Sequence, residues 1–409
     1  MRILLIHQNV PGQFRHLSRE LIHRGHEVIG LGRNVSGVVS RDLRVGLYRI
    51  DEPGPGYGGS DRELERALRR AIQVQTACER LRSQGWIPDA VLFHSSWGEG
   101  LYLREVWPQQ RLVAYPELYG TPWVLGYGYD AGLREPPQDL LLSMRHLNLL
   151  ALAAIADSDA VVCPTRHQRD TFPAHLRQHF TVIHEGVDVR ALAPHPQRCL
   201  VLGRDLVLRP GDPVLTFCSR HLEPLRGLHT LLRALPRVQR QRPDVQVLLV
   251  GANGKGYGTA SDHPGGHLGA LLQELAGQLD LERIHVLGRL RHGQLIGVYQ
   301  VSAAHTYLTY PYALSWSLLE AMACGAAVVG SRGAPVQEVI RQGENGLLVD
   351  FNSPEQLSEA LLQLLQDPPL RQRIGAAARS TVERHYSLEA CTDAYEALLM
   401  GRPTAAASS

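Results

Sequence analysis

Lysine is nearly absent from this chain of 409 residues. Lys255 is the only one, so the basic side is almost all arginine. Arginine stays charged and suits bidentate phosphate contacts, although a GC-rich genome produces the same bias. Neither sign of charge is in excess. Lys plus Arg number 42 against 40 for Asp plus Glu, and a net charge of +2 is too balanced for a dedicated nucleic-acid binder. Cysteine is sparse. Cys78, Cys163, Cys199, Cys218, Cys324 and Cys391 include no Cys-x-x-Cys pair, which excludes a disulfide scaffold and a zinc module and fits a reducing cytoplasm. Long apolar runs are lacking. The longest, Leu140 to Ala156, is broken by Arg145, His146 and Asn148, and reads as a buried helix, not a membrane span. The opening Met1-Arg-Ile-Leu-Leu-Ile-His is a strand pattern, not a signal peptide. No His-Glu-x-x-His metal pair and no Gly-x-Ser-x-Gly nucleophile elbow occurs.

What remains is ordinary globular material, 44% apolar and 20% charged, long enough for two large domains. The pattern alternates strand and helix from the start. Arg2 to His7 is a short apolar run, Phe14, Leu17 and Leu21 recur at helical spacing until Gly25, and Glu27 to Leu31 is a second strand. Such a βαβ unit implies a parallel sheet. Further strands are predicted at Asp89 to His94, Arg111 to Tyr115, Ala160 to Cys163 and Thr181 to His184, with a long helix around Leu64 to Leu81. The pattern then lapses over 191–212, which holds Pro194, Pro196 and Pro210. A second βα series follows, with strands from Val214, Val245, Ile284, Ala304, Ala327 and Leu347. The predicted organisation is a domain over 1–190, a linker over 191–212, a second domain over 213–385, a helix over 386–400 packing back on the first domain, and a disordered tail over 401–409. Two parallel-sheet halves of nearly equal size predict a cleft between them, with ligands outside the carboxyl ends of the strands.

Several polar residues fall at those ends: His94, Glu117, Glu185, Arg220 and the segment Tyr310 to Trp316. Arg220 and Arg226, on one loop, are spaced to grip a diphosphate; two surface arginines are the bland alternative. Ser315 precedes a helix from about Trp316 to Cys324, whose first N–H groups suit phosphate or sugar oxygens. Glu320 lies one turn into this otherwise apolar helix. A buried carboxylate needs partners, which ribose hydroxyls or a neighbouring arginine would supply. The glycine run from Gly251 to Gly258 lacks the dinucleotide and P-loop spacings and reads as a mobile loop. Asp157-Ser158-Asp159 reads as a helix-to-strand turn. Arg62, Arg66, Arg69, Arg70, Arg80 and Arg82 decorate one helix. They are either a weak peripheral membrane contact or a solvated face neutralised by Glu63, Glu65 and Glu79.

With these residues in view the chain resembles glycosyltransferase family 4, retaining enzymes of the GT-B fold, over about residues 1 to 400. The resemblance lies in the opening Ile6-His-Gln-Asn-Val-Pro-Gly-Gln-Phe, in His94-Ser-Ser-Trp-Gly-Glu-Gly, in Val182-Ile-His-Glu-Gly-Val-Asp, in Gly288-Arg-Leu, and most of all in Leu318-Leu-Glu-Ala-Met-Ala-Cys-Gly. It implies a fold of two Rossmann-like parallel-sheet domains facing across a cleft. It also implies transfer of a sugar from a nucleoside diphosphate sugar to a glycan or lipid-linked acceptor hydroxyl in cell-surface polysaccharide or glycolipid synthesis. No cofactor, metal or nucleic acid is expected, and the setting is cytoplasmic, with a peripheral position at the inner face of the cytoplasmic membrane as an option. A nucleotide-sugar epimerase, a phosphorylase and a non-catalytic sugar-nucleotide-binding protein are the alternatives.

Carried onto this sequence, the resemblance assigns catalysis to His94, Arg220 and Arg226. Donor binding falls to Gly12, Arg220, Arg226, Arg289, Leu290, Ala313, Leu314, Ser315, Trp316 and Glu320. Glu117 lies on the acceptor side. The family carries two glutamates eight positions apart; the second is Glu320, and the first position holds Tyr312.

Overall fold

The computed structural model describes residues 1–36, 39–51, 59–203, 205–254, 256, 258 and 260–403. Lys255 of the glycine run and residues 404–409 of the tail lie outside these. The chain divides into two compact units. The first comprises 1–122, 135–188 and 385–409; the second comprises 123–134 and 189–384.

The first unit is built on a parallel sheet of seven strands. These are β1 (Arg2–Ile6), β2 (Glu27–Gly32), β3 (Arg44–Leu47), β4 (Ala90–His94), β5 (Arg111–Tyr115), β6 (Ala160–Cys163) and β7 (Phe180–Val182), in the order β3-β2-β1-β4-β5-β6-β7. Its central strands are apolar throughout, as a sheet covered on both faces requires: Ile3 to Ile6 and Ala90 to Phe93 are all buried. Helix α1 (Arg15–His23) turns Leu17 and Leu21 onto one face, beside Phe14. The last helix of the chain, Leu388–Leu399, joins the same core through Tyr395, Leu398 and Leu399, and Arg24 pins it with ion pairs to Asp393 (2.6 Å) and Glu396. Burial of such side chains contributes roughly 1.5–3 kcal/mol each.

Two other helices of this unit bear on the sequence reading. In α2 (Gly59–Ser83) part of the arginine face is neutralised by glutamates, while Arg62, Arg80 and Arg82 stay exposed. Arg66 pairs with Glu63, Arg69 with Glu65, and Arg70 is buried. Helix α3 (Gln138–Ala156) is long and apolar enough to cross a membrane, yet only a third of it is buried. Leu142, Leu147 and Leu149 face outward, so its apolar character exceeds what its packing uses.

The segment 191–212 is not a bare linker. It carries the antiparallel pair β8 (Leu200–Leu202) and β9 (Leu206–Leu208) and is part of the second unit. The prolines obscured a hairpin too short to show an alternating pattern. Residues 123–134 also belong to the second unit, although they precede α3 in sequence. Asn352 holds them by accepting from the Ala131 N–H and donating to the Tyr129 carbonyl. Asp159, at the turn before β6, accepts from the Leu112 N–H (2.7 Å) and from Arg104, a structural role.

The second unit repeats the first. Its sheet holds β10 (Val214–His221), β11 (Gln246–Ala252), β12 (Ile284–Gly288), β13 (Ala304–Tyr307), β14 (Val328–Ser331) and β15 (Leu347–Val349), all parallel, in the order β12-β11-β10-β13-β14-β15. In both sheets the third, second and first strands precede the fourth, fifth and sixth, the Rossmann order, with the switch beside the first strand. Helices α4 (Leu228–Gln241), α5 (Gly266–Glu274), α6 (His292–Val301) and α7 (Trp316–Ala323) follow β10 to β13 in turn.

His305, within a strand of the second sheet, and His7, just past β1 of the first, are buried. Burial lowers His305 in β13 from the ordinary 6.5 to about 3, and burial together with the charge of His94 lowers His7 to about 3. Between those values the unfolded chain binds protons that the folded chain refuses, so stability falls as pH drops from about 6.5 towards 3. The slope is at most ~1.4 kcal/mol per pH unit for each ring. Urea unfolding from pH 7.5 to 4 should show this decline, and His305→Asn, which keeps a partner for Thr216, should flatten it.

Candidate active site

In the first unit the carboxyl ends of β1, β4 and β5 bring a cluster of rings together. His94 closes β4. Its ring stacks on Trp97, with centroids 3.9 Å apart and planes 14° apart, and meets the edge of His7 at 5.2 Å. The Ser96 N–H donates to His94 Nδ1, which places the proton on Nε2, and Nε2–H donates to Glu117 at 3.2 Å. Glu117 holds a backbone φ of 54°, unusual for a residue other than glycine, while Gln168 donates to its carbonyl. Strain of this kind persists where the surroundings over-determine a conformation, and it concentrates at functional sites.

Behind Trp97 lies a buried charge network. Glu99 has no exposed surface. It accepts from Tyr48 (3.1 Å) and lies 3.6 Å from Arg70, while Arg70 donates to the Trp97 carbonyl. Burial raises the Glu99 carboxyl, against the charges of Arg70 and His94. The loop after β1 crosses His7 at Gly12, where φ is +53° and any Cβ would overlap the imidazole ring. A glycine is required there on both counts.

The resemblance assigns His94 to catalysis, but its side chain is fully buried and both ring nitrogens are engaged. The reachable group is the carboxylate of Glu117, whose side chain is 21% exposed; His94 holds it from behind.

In the second unit the carboxyl edge is cationic. Arg226 ends a short turn, Pro224–Arg226, and Gly227 (φ +70°) then starts α4 with its Cα against Leu308, where a Cβ would overlap. Arg226 donates to Thr309 (2.7 Å) and to the Tyr307 hydroxyl. That same hydroxyl accepts from the Ser315 N–H at 2.8 Å, just before α7. The phenol of Tyr307 therefore joins the guanidinium to the start of the helix. Ser315 caps α7 by accepting from the Ser317 N–H, and Ala313 and Leu314 are buried beside it. Trp316 is half-buried at the first helical position.

Arg220 is exposed at the end of β10, six residues before Arg226. Arg289 is exposed too and meets His221, the neighbour of Arg220, at 3.0 Å. Leu290 follows, half-buried. Glu320 is 4% exposed and its partner is His292 at 2.9 Å, not an arginine. The glycine run closes over another buried carboxylate: Gly258 N–H donates to Glu223, and a side chain at Gly256 would overlap it. Among the described residues no three His, Cys, Asp or Glu side chains converge as a metal site.

Sequence reasoning missed Tyr307, Thr309 and His292. Tyr307 and Thr309 fall in or beside an apolar strand and look like core. His292 follows Gly288-Arg-Leu closely but carries no motif of its own. Trp97 and Glu99 stood inside a quoted motif without a role.

These two edges, on two Rossmann-ordered sheets, define a GT-B protein. Residues 24–192 match the family model described as glycosyl transferase family 4 group, and residues 204–381 match that of glycosyl transferases group 1. The chain belongs to this glycosyltransferase family. It is 29% identical over 234 residues to a GDP-mannose-dependent monoacylated alpha-(1-6)-phosphatidylinositol monomannoside mannosyltransferase of Corynebacterium glutamicum, which covers 55% of this chain and 57% of that protein. It is 26% identical to a D-inositol 3-phosphate glycosyltransferase of Kribbella flavida, over 84% of this chain and 76% of that protein. The match therefore spans little more than half of the first relative. Among solved structures, sucrose-phosphate synthase from Thermosynechococcus elongatus shares the fold with a TM-score of 0.74 at 19% identity, covering 98% of both chains.

Gly12→Ala should displace the His7 ring and destabilise the first unit by about 1–3 kcal/mol, from overpacking and a disfavoured φ. Urea unfolding followed by tryptophan fluorescence, which reports Trp97 beside that ring, would measure it; an unchanged midpoint would show that the loop does not press on His7.

Proposed function

We propose that the chain is a retaining glycosyltransferase that needs no metal. It moves a sugar from a nucleoside diphosphate sugar to a hydroxyl of a glycan or lipid-linked acceptor, in cell-surface polysaccharide or glycolipid synthesis. One observation carries this reading: the guanidinium of Arg226 and the N-terminus of α7 meet at one phenol, that of Tyr307, on the carboxyl edge of a Rossmann-ordered sheet. The demanding step is departure of the diphosphate, on which negative charge grows. Donors and dipoles fixed in advance stabilise that charge without rearranging at the moment of reaction. Arg226, the first N–H groups of α7 and the exposed Arg220 are the groups that do so. Retention follows if the bond from the anomeric carbon to the diphosphate breaks and the bond to the acceptor oxygen forms on the same face, with the acceptor proton passing to the departing phosphate oxygen. Glu117, oriented by His94, is the group that meets the acceptor hydroxyl.

A lipid-linked acceptor is supported by a groove lined by residues that follow Glu117 closely in sequence. Tyr119, Gly120 and Pro122 line a groove of about 350 Å³ with Leu141, Leu142 and Met144 of α3, and Arg145 sits on its rim. The named Corynebacterium relative also acts on an acylated molecule. The apolar wall suits a hydrocarbon chain and the arginine an anionic headgroup, which supports a peripheral position at the inner face of the cytoplasmic membrane.

Removing one preorganised cation costs about 3–4 kcal/mol of barrier, roughly a hundred- to thousand-fold in rate. Steady-state assays of Arg226→Ala and Arg220→Ala with the cognate donor, identified by thermal shift with UDP, GDP and ADP sugars, should show losses of that size in kcat. Turnover within threefold of the parent in both variants would remove these arginines from the leaving-group site.

A further inference from the structure

The buried carboxylate of Glu320, for which ribose hydroxyls are fitting partners, is held by a histidine and not by an arginine. Glu320 lies in the second turn of α7, with Leu318, Leu319, Ala321 and Met322 buried around it. Its near neighbours are poor partners for a negative charge. Burial and the charge of Glu320 push the Cys324 thiol up to about 12, and burial with the same carboxylate raises Cys218 and Tyr299. The partner it does have is His292, whose Nε2 lies 2.9 Å from Oε1.

His292 is placed unlike a core histidine. Its side chain is 41% exposed while that of Glu320 is 6% exposed, so the pair reaches from the surface into the helix. It opens α6 directly after the segment Arg289 to Arg291, of which the family resemblance assigns Arg289 and Leu290 to donor binding. His292 thus links that segment to a carboxylate 28 residues further along the chain through one hydrogen bond. The terminal torsion of a glutamate is broad and two-fold, so an unpinned carboxylate would meet a ligand in many orientations. A carboxylate offers about four acceptor positions. One hydrogen bond from an imidazole fixes its plane and leaves the others for the ligand. Ordering a group before binding lowers the cost of binding.

We propose that His292 is a positioning residue of the nucleotide site: its ring pins the Glu320 carboxylate so that the remaining acceptor positions meet the ribose hydroxyls of a nucleoside diphosphate. The inference rests on the proposed function, because it needs a nucleotide to be the ligand of this unit. The competing account is a tie between α6 and α7 with no ligand role. The two differ in one respect: a tie affects every ligand alike, whereas a pinned carboxylate acts only through the ribose hydroxyls.

The test is isothermal titration of the full chain with UDP and GDP and with their 3′-deoxy counterparts, for the parent, His292→Ala and His292→Gln. Loss of a charge-assisted hydrogen bond is expected to weaken the ribonucleotide about tenfold in His292→Ala. The 3′-deoxy nucleotide, already weaker in the parent, should lose threefold or less on the same substitution. His292→Gln, which keeps an N–H donor, should recover most of the ribonucleotide affinity. Equal losses for the ribo and deoxy ligands, or unchanged affinity for both, would overturn the inference and leave the enzyme reading intact. A parent chain that binds neither UDP nor GDP would overturn the enzyme reading and the inference with it.

Discussion

Every strand of a parallel sheet ends on the same side, and every helix that follows it begins there. This one geometric constraint organises both units. Backbone N–H groups at helix starts have no partner within the helix, and the loops that reach them carry the side chains that the packed layers exclude. In the second unit this edge gathers Arg226, Thr309, Tyr307 and the start of α7. In the first it gathers His7, His94, Trp97 and Glu117. Neither cluster could assemble on the opposite side, where helices end in carbonyl groups and the dipole would repel a phosphate.

The two edges use opposite strategies. The second keeps its cations at or near the surface, where they can receive a charged ligand: Arg220 and Arg289 are exposed and Arg226 is half-buried. The first buries its ionisable groups and leaves one carboxylate reachable. His7 and His94 are enclosed, Glu99 is enclosed, and Arg70 is drawn beneath them as a counter-charge. A buried carboxylate without a counter-ion would be costly, so the Glu99–Arg70 pair supports the loop that carries Trp97, and Trp97 in turn fixes the plane of His94 by stacking. The Glu117 carboxylate is thus held by a stack of buried groups.

Much of the fold was legible in the sequence because buried parallel strands must be apolar over their whole length and must alternate with helices. Arg111 to Tyr115, Ala160 to Cys163 and the strand from Leu347 carry that signature, and all occur where the pattern puts them. Strand β3 was missed because an edge strand of four residues, only partly buried, has no apolar run to show. The hairpin Leu200–Leu208 was missed because two three-residue strands among prolines lie below the length at which alternation can be read.

The class of protein could be read from the chain alone, through the succession of βα units, the glycine at position 12, and the arginines and the glutamate at strand and helix boundaries. These are local features, set by the spacing of residues along the chain. Which polar groups became partners was settled by folding in three dimensions. It enclosed His94 and left Glu117 reachable, joined Arg226 to the helix start through Tyr307, and gave Glu320 to His292. It also assigned residues 123–134 to the second unit. Such pairings join positions distant in sequence, and their choice depends on burial and direction in three dimensions, which no periodicity along the chain encodes.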